Sequence, residues 1–439
     1  MRKKSSTSSP VCATCKIHDH DTLHFPSGFL WGAATSSHQV EGGNENEWSA
    51  WEREPGNILD GTESGDAADQ WNRYESDFDL AQKLGHTMHR LSVEWSRIEP
   101  EPGQFDEEAI AHYRDMLHAL KDRGMTVMLT LHHFTNPIWF ANMGGWESPK
   151  SVALFERFVR RIIPEFREYV DLWCTINEPN VYASNSFLRG EWPPQRKSVW
   201  AYYRVTRHLA RAHRRAYKLI HAQIDDAKVG IAQNVFSIES YQWWEFDDYI
   251  KMRLLNYFWN HHFFSLAGRR YQDYIGVNYY FHVRIRKSGI FSFRTMDSRE
   301  EHREGSDLGW ELYPNGLFQS IMNMRQYGVP IYVTENGLAA VNDHRRSRFM
   351  VGSLKETYHA IRAGADVRGY CYWSLIDNFE WNKGFAPRFG MIEVDYKTQK
   401  RTPRNSAFLF AHIAKMNGIS HDMFRYLGHS AHEEPETYV

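Results

Sequence analysis

Two glutamates stand out by their surroundings. Glu178 follows an apolar run in Thr175-Ile176-Asn177-Glu178-Pro179, and Glu335 does so in Val333-Thr334-Glu335-Asn336-Gly337. Two opposed carboxylates can hydrolyse a glycosidic bond: one protonates the departing oxygen, the other attacks the sugar or activates water. Taken singly, each Glu is better read as a helix cap or an arginine partner. Taken together, each at the end of a run and beside an Asn, they point to catalysis. No Walker loop, H-E-x-x-H or G-x-S-x-G motif offers a competing chemistry.

Such a pair needs a frame that brings both acids to one rim. Eight short, nearly continuous apolar runs cross the chain: 29–36, 88–98, 126–134, 172–177, 228–235, 274–281, 330–336 and 367–376. Runs of this kind suit parallel strands buried on both faces. Helical spacing lies between them, as in Trp71, Tyr74, Phe78 and Ala81 before Gly85, Ile110 to Leu120 before Gly124, and Met350 to Ile361 before Gly364. Eight alternations predict a single (β/α)8 barrel, whose catalytic groups sit at the C-terminal strand ends. The alternative is a doubly wound sheet, but Ala34-Thr-Ser-Ser-His-Gln after the first run lacks its G-x-G-x-x-G turn.

The predicted boundaries are a polar tail over 1–24, the barrel over 25–420 and a C-terminal tail over 421–439. The first tail carries Cys12, Cys15, His18 and His20, a spacing zinc can use, but it has almost nothing apolar to fold around a metal. It is read as a tail, neither metal site nor secretory signal. With 52 Lys and Arg against 54 Asp and Glu, the chain lacks the basic excess of a nucleic-acid binder. No apolar run is long enough to span a bilayer. Four cysteines do not make a disulfide scaffold, so a cytoplasmic setting is expected. Aromatics at 15%, with 16 Trp, are enough both to fill a core and to line a site that stacks on sugars.

At this point the chain resembles glycoside hydrolase family 1, the β-glucosidase and β-galactosidase family. The two glutamate motifs match its T-[FIL]-N-E-P and [IV]-T-E-N-G patterns. The stretches Phe25 to Gly42 and Trp373 to Trp381 match its opening and W-S-L-x-D-N-F-E-W patterns. The resemblance implies a retaining, exo-acting β-glycosidase that works through a covalent glycosyl-enzyme and needs no cofactor or metal. Its partner would be a small β-glycoside or oligosaccharide; it says nothing of oligomeric state. Glu335 would be the nucleophile and Glu178 the general acid, then base. Gln39 and Glu380 would grip the sugar's C3 and C4 hydroxyls, His133 the C3 hydroxyl and Asn177 the C2 hydroxyl. Trp373 would floor the pocket, Trp381 would add an N–H, and Tyr280 would bond the nucleophile. Arg90 would keep Glu335 ionised by opposite charge.

Some positions depart from the family pattern. Phe134 replaces a usual Trp, Thr135-Asn136 replaces Asp-Leu, and the stretches after Phe264 and after Gly337 are short. A wider mouth with less defined leaving-group subsites is expected. A glycan-binding relative without turnover would normally lack one Glu, and both are present. A phosphoglycosidase would need a cationic clamp where Asp377-Asn378-Phe379-Glu380 stands. His261-His262, on a predicted helix, is read as surface or packing.

Overall fold

The computed structural model describes residues 22–241, 245–287, 293–295 and 302–428. Cys12, Cys15, His18 and His20 lie outside them. Eight strands close into a parallel barrel: β1 (Leu30–Ala34), β2 (Met88–Ser92), β3 (Thr126–Thr130), β4 (Leu172–Asn177), β5 (Val229–Ser240), β6 (Tyr274–Lys287), β7 (Ile331–Asn336) and β8 (Val367–Trp373). Each pairs with its successor in chain order. The ring closes where Gly369 to Trp373 of β8 pair with Leu30 to Ala34 of β1. Closure rules out the open, doubly wound alternative.

A helix follows every strand: α1 (Gln70–Lys83), α2 (Glu107–Asp122), α3 (Ser151–Phe166), α4 (Val199–His221), α5 (Phe246–Asn256), α6 (Asn315–Met324), α7 (Asp343–Arg362) and α8 (Asn405–Met416). Their limits follow from local chemistry. Asp106 caps α2 by accepting from the backbone N–H of Glu108 and Ala109. Gly85, Gly124 and Gly364 follow α1, α2 and α7 in the left-handed conformation expected of helix stops.

Two apolar layers hold the frame. Met88, Met128, Leu172, Cys174, Ala232 and Tyr274 fill the barrel interior. The larger layer lies between strands and helices and absorbs much of the aromatic content; Trp95, for example, packs on Phe140, Phe155 and Phe158. His261 belongs to this packing, bonded to the Tyr327 hydroxyl at 2.8 Å and Asn323 at 3.0 Å.

Both expected tail boundaries move. Leu23–His24 form a short strand that pairs antiparallel with Gly418–Ile419. Residues His421–Leu427 form a 3-10 helix that buries Met423 and Phe424 against the core. Apolar side chains at 23, 423 and 424 explain both shifts: each gains by leaving water.

Candidate active site

The C-terminal ends of β4 and β7 bring the two glutamates to one cavity of about 260 Å³. Gln39, His133, Asn177, Tyr280, Trp373, Glu380 and Trp381 line it with them. Arg90 lies beneath, fully buried on β2. A larger hollow of about 730 Å³, between the loops after β1, β2 and β3, contains neither glutamate.

Glu178 follows β4 with φ at 41°, a left-handed conformation rare outside glycine. Pro179 then starts a short helix, with its fixed φ at the position helices tolerate. The turn is held by the Glu178 N–H, which donates to the Ala232 carbonyl at 2.7 Å. On the other side, Gly337 lets the chain after β7 touch β8: a Cβ there would lie 1.8 Å from the Trp373 carbonyl oxygen. That contact keeps Trp373 close to Glu335.

The two carboxylates have different partners. Arg90 Nη1 donates to Glu335 Oε1 at 2.5 Å, and the Tyr280 hydroxyl donates to Oε2 at 2.9 Å. Among the described residues no cation contacts Glu178; its Oε1 accepts from Asn234 at 3.0 Å and Asn278 at 2.9 Å. Burial, then the charge of Glu335, pushes the Glu178 carboxyl up to about 8 despite those two amides. At Glu335 the expected pull of Arg90 and Tyr280 towards the charged form is present, but burial outweighs it. Burial raises it above the ordinary carboxylate range, and Arg90, Tyr280 and Asn278 act against that rise without cancelling it. Opposite charge is thus the counterweight and desolvation the larger effect. Glu380 is pushed to about 8 by burial and by both other carboxylates.

The remaining residues are held tightly. Asn177 donates to His133 Nε2 at 3.1 Å, and its Oδ1 accepts from Arg90 and Asn278. Gln39 donates to Asn378 at 2.9 Å, to the Phe379 carbonyl at 2.8 Å and to Glu380 at 3.4 Å. His133 stacks on Trp373 and Trp381, while His132, next in chain, points outward to Trp146. Trp381 also has positive φ, at 51°. Behind it His38 stacks with centroids 5.7 Å apart and 16° between planes. His38 Nε2 lies 2.7 Å from Glu52, and its Nδ1 faces the Asn46 amide nitrogen at 3.0 Å. Asn46 caps the helix Glu47–Glu52, its Oδ1 taken by two backbone N–H groups. That fixes Nδ2 as the donor towards His38, so the imidazole carries its proton on Nε2.

Sequence reasoning did not assign roles to Asn234 and Asn278, the donors to Glu178. Both stand near the ends of apolar runs, the same signal that marked the glutamates. Trp192, Phe281, Trp310 and Phe389 also line the cavity. They come from loops and strand extensions without a motif.

The sequence profile described as Glycosyl hydrolase family 1 matches residues 21–269 and 265–419. Beta-glucosidase A of Thermotoga maritima is 30% identical, the match spanning 90% of this chain and 98% of that protein. A beta-galactosidase of Pyrococcus woesei is 31% identical over 90% of this chain and 98% of its own length. A solved beta-glycosidase from Pyrococcus horikoshii superposes with a TM-score of 0.86 at 35% identity, covering 93% of this chain and 99% of that one.

Proposed function

The chain belongs to glycosyl hydrolase family 1, and from that premise we propose how its own residues divide the work of a retaining, exo-acting β-glycosidase. Glu335 is the nucleophile and Glu178 the acid/base. One observation carries this division: two buried carboxylates share a cavity, one on a cation and the other among neutral amides and pushed to about 8.

Glu335 attacks the anomeric carbon as Glu178 gives its proton to the departing glycosidic oxygen. The sugar is then an ester of Glu335, and that carboxylate no longer bears charge. Glu178, now ionised and freed of its charged neighbour, takes a proton from water as the water attacks, and Glu335 leaves. Arg90 and Tyr280 position the nucleophile. Asn177 keeps one amide N–H for the C2 hydroxyl, where bonding strengthens as charge develops. Gln39, His133 and Glu380 hold the other hydroxyls, with Trp373 and Trp381 as the ring-facing walls.

We read residues 22–428 as one catalytic unit and place it in the cytoplasm, a reading supported by the buried free thiols Cys174 and Cys371. No helix among the described residues is long and apolar enough to cross a membrane. The test is proton NMR of the first product released from a panel of nitrophenyl β-glycosides. The β-anomer should appear first; an α-anomer would overturn the double-displacement assignment.

A further inference from the structure

We propose that Phe236, Trp259, Phe281 and Trp310 form a platform that selects flat, apolar, multi-ring aglycones. The inference rests on the glycosidase reading of the cavity and names the substrate class it prefers. β5 and β6 are longer than their neighbours and stay paired as far as Ser240 and Ile285, well beyond Asn177 and Asn336 where β4 and β7 end. They rise as a wall on one side of the mouth. Phe281 and Trp310 line the cavity itself, with ring centroids 4.5 Å apart. Phe236 lies 5.1 Å from Phe281, and Trp259 stacks on Phe236 at 4.3 Å and 24°. All four are half-buried. The run of rings leads outward from the glutamates.

The platform is anchored rather than loose. A wide π-helical turn, Tyr257–His261, carries Trp259. Gln233 and Asn180 donate to its carbonyl, and its indole N–H donates to Asn234 Oδ1 at 3.3 Å. With Oδ1 so engaged, Asn234 turns Nδ2 towards Glu178. One amide therefore ties the platform to the acid, and a leaving group lying on the rings has its oxygen delivered towards Glu178. The helix leading to Trp259, Phe246–Asn256, exposes Phe246, Tyr249, Ile250 and Leu254 at helical spacing, and Tyr257 and Phe258 follow it exposed. A second sugar could stack on such rings but would find few partners for its hydroxyls there, whereas a flat multi-ring aglycone needs only the stacking.

The experiment compares 2-naphthyl β-D-glucoside, phenyl β-D-glucoside and cellobiose on the full chain. Naphthol and phenol leave with similar ease, so their kcat/KM ratio reads the platform. Naphthyl should be favoured about ten-fold, and Phe236→Ala should remove most of that preference, as loss of an aromatic contact implies. Trp259→Leu should do the same, and Phe236→Ala serves if that variant folds poorly. The Ki of 2-naphthyl 1-thio-β-D-glucoside should rise by a similar factor. A wild-type ratio near one, a ratio unmoved by both variants, or an equal loss with cellobiose would overturn the platform alone. Failure to cleave any of the three would overturn the glycosidase reading itself.

Discussion

Replacing Glu335 by Gln preserves the side chain's shape and removes its charge. In the intact chain Glu178 stands at about 8, raised by burial first and by Glu335 second. Carboxylates at the roughly 5–5.5 Å separation of a retaining pair, with an effective dielectric of about 20, repel by about 3 kcal/mol. That corresponds to roughly 2 pH units. Arg90 also draws Glu178 down, but it stays in place in the variant and so does not enter the difference. The expected fall is therefore about 2 pH units. Burial persists in the variant, so Glu178 should stay above its ordinary 4.5. Carbon-13 NMR of labelled glutamate carboxyls, or infrared titration of the variant, reads this directly. An unchanged titration would refute electrostatic coupling and the proton cycling built on it. A fall to 4.5 or below would show that the repulsion, and not burial, had set the value.

The rate profile of the unaltered enzyme should be bell-shaped: activity is lost as pH rises through the Glu178 value near 8 and as it falls through the raised value of Glu335. A profile flat from about pH 7 to 9 would contradict the assignment of Glu178, and a profile without an acid limb that of Glu335. Glu178→Ala should slow poor leaving groups far more than activated aryl groups, by about 10²–10⁴-fold, and azide should restore turnover as β-glycosyl azide; equal losses without rescue would remove Glu178 from the acid/base role. Gly316→Ala should destabilise by about 1–3 kcal/mol, because the new Cβ would lie 1.9 Å from the Tyr279 hydroxyl oxygen and 2.9 Å from Ser237 Cβ. Calorimetry should show a lower Tm; an unchanged one would mean that the start of α6 gives way freely.

The frame was legible because burial on both faces writes strands as apolar runs and the helices between them carry their own stops. The eight runs match β1 to β8, and the residues marked at their ends meet in the cavity. What escaped the sequence was set by distance. Phe281 and Trp310 are 29 positions apart in sequence yet 4.5 Å apart in space, and nothing local in either announces the other. The raised carboxyl of Glu335 escaped for a related reason: a motif names the neighbouring Arg90, whereas desolvation is a sum over the whole barrel mouth. The tail boundaries failed on single side chains, Leu23 and Phe424, too few to make a period.

Asn46 has a consequence far from the helix it begins. An Asp at that position would cap as well, but it has no N–H to offer an imidazole. His38 would then have to move its proton to Nδ1 and turn a bare lone pair on Glu52, or take up a second proton between two carboxylates. In the second case a cation would stand stacked behind Trp381, the indole that faces the sugar. A substitution neutral by every rule of helix stability would thus change the electrical character of the pocket wall without touching it.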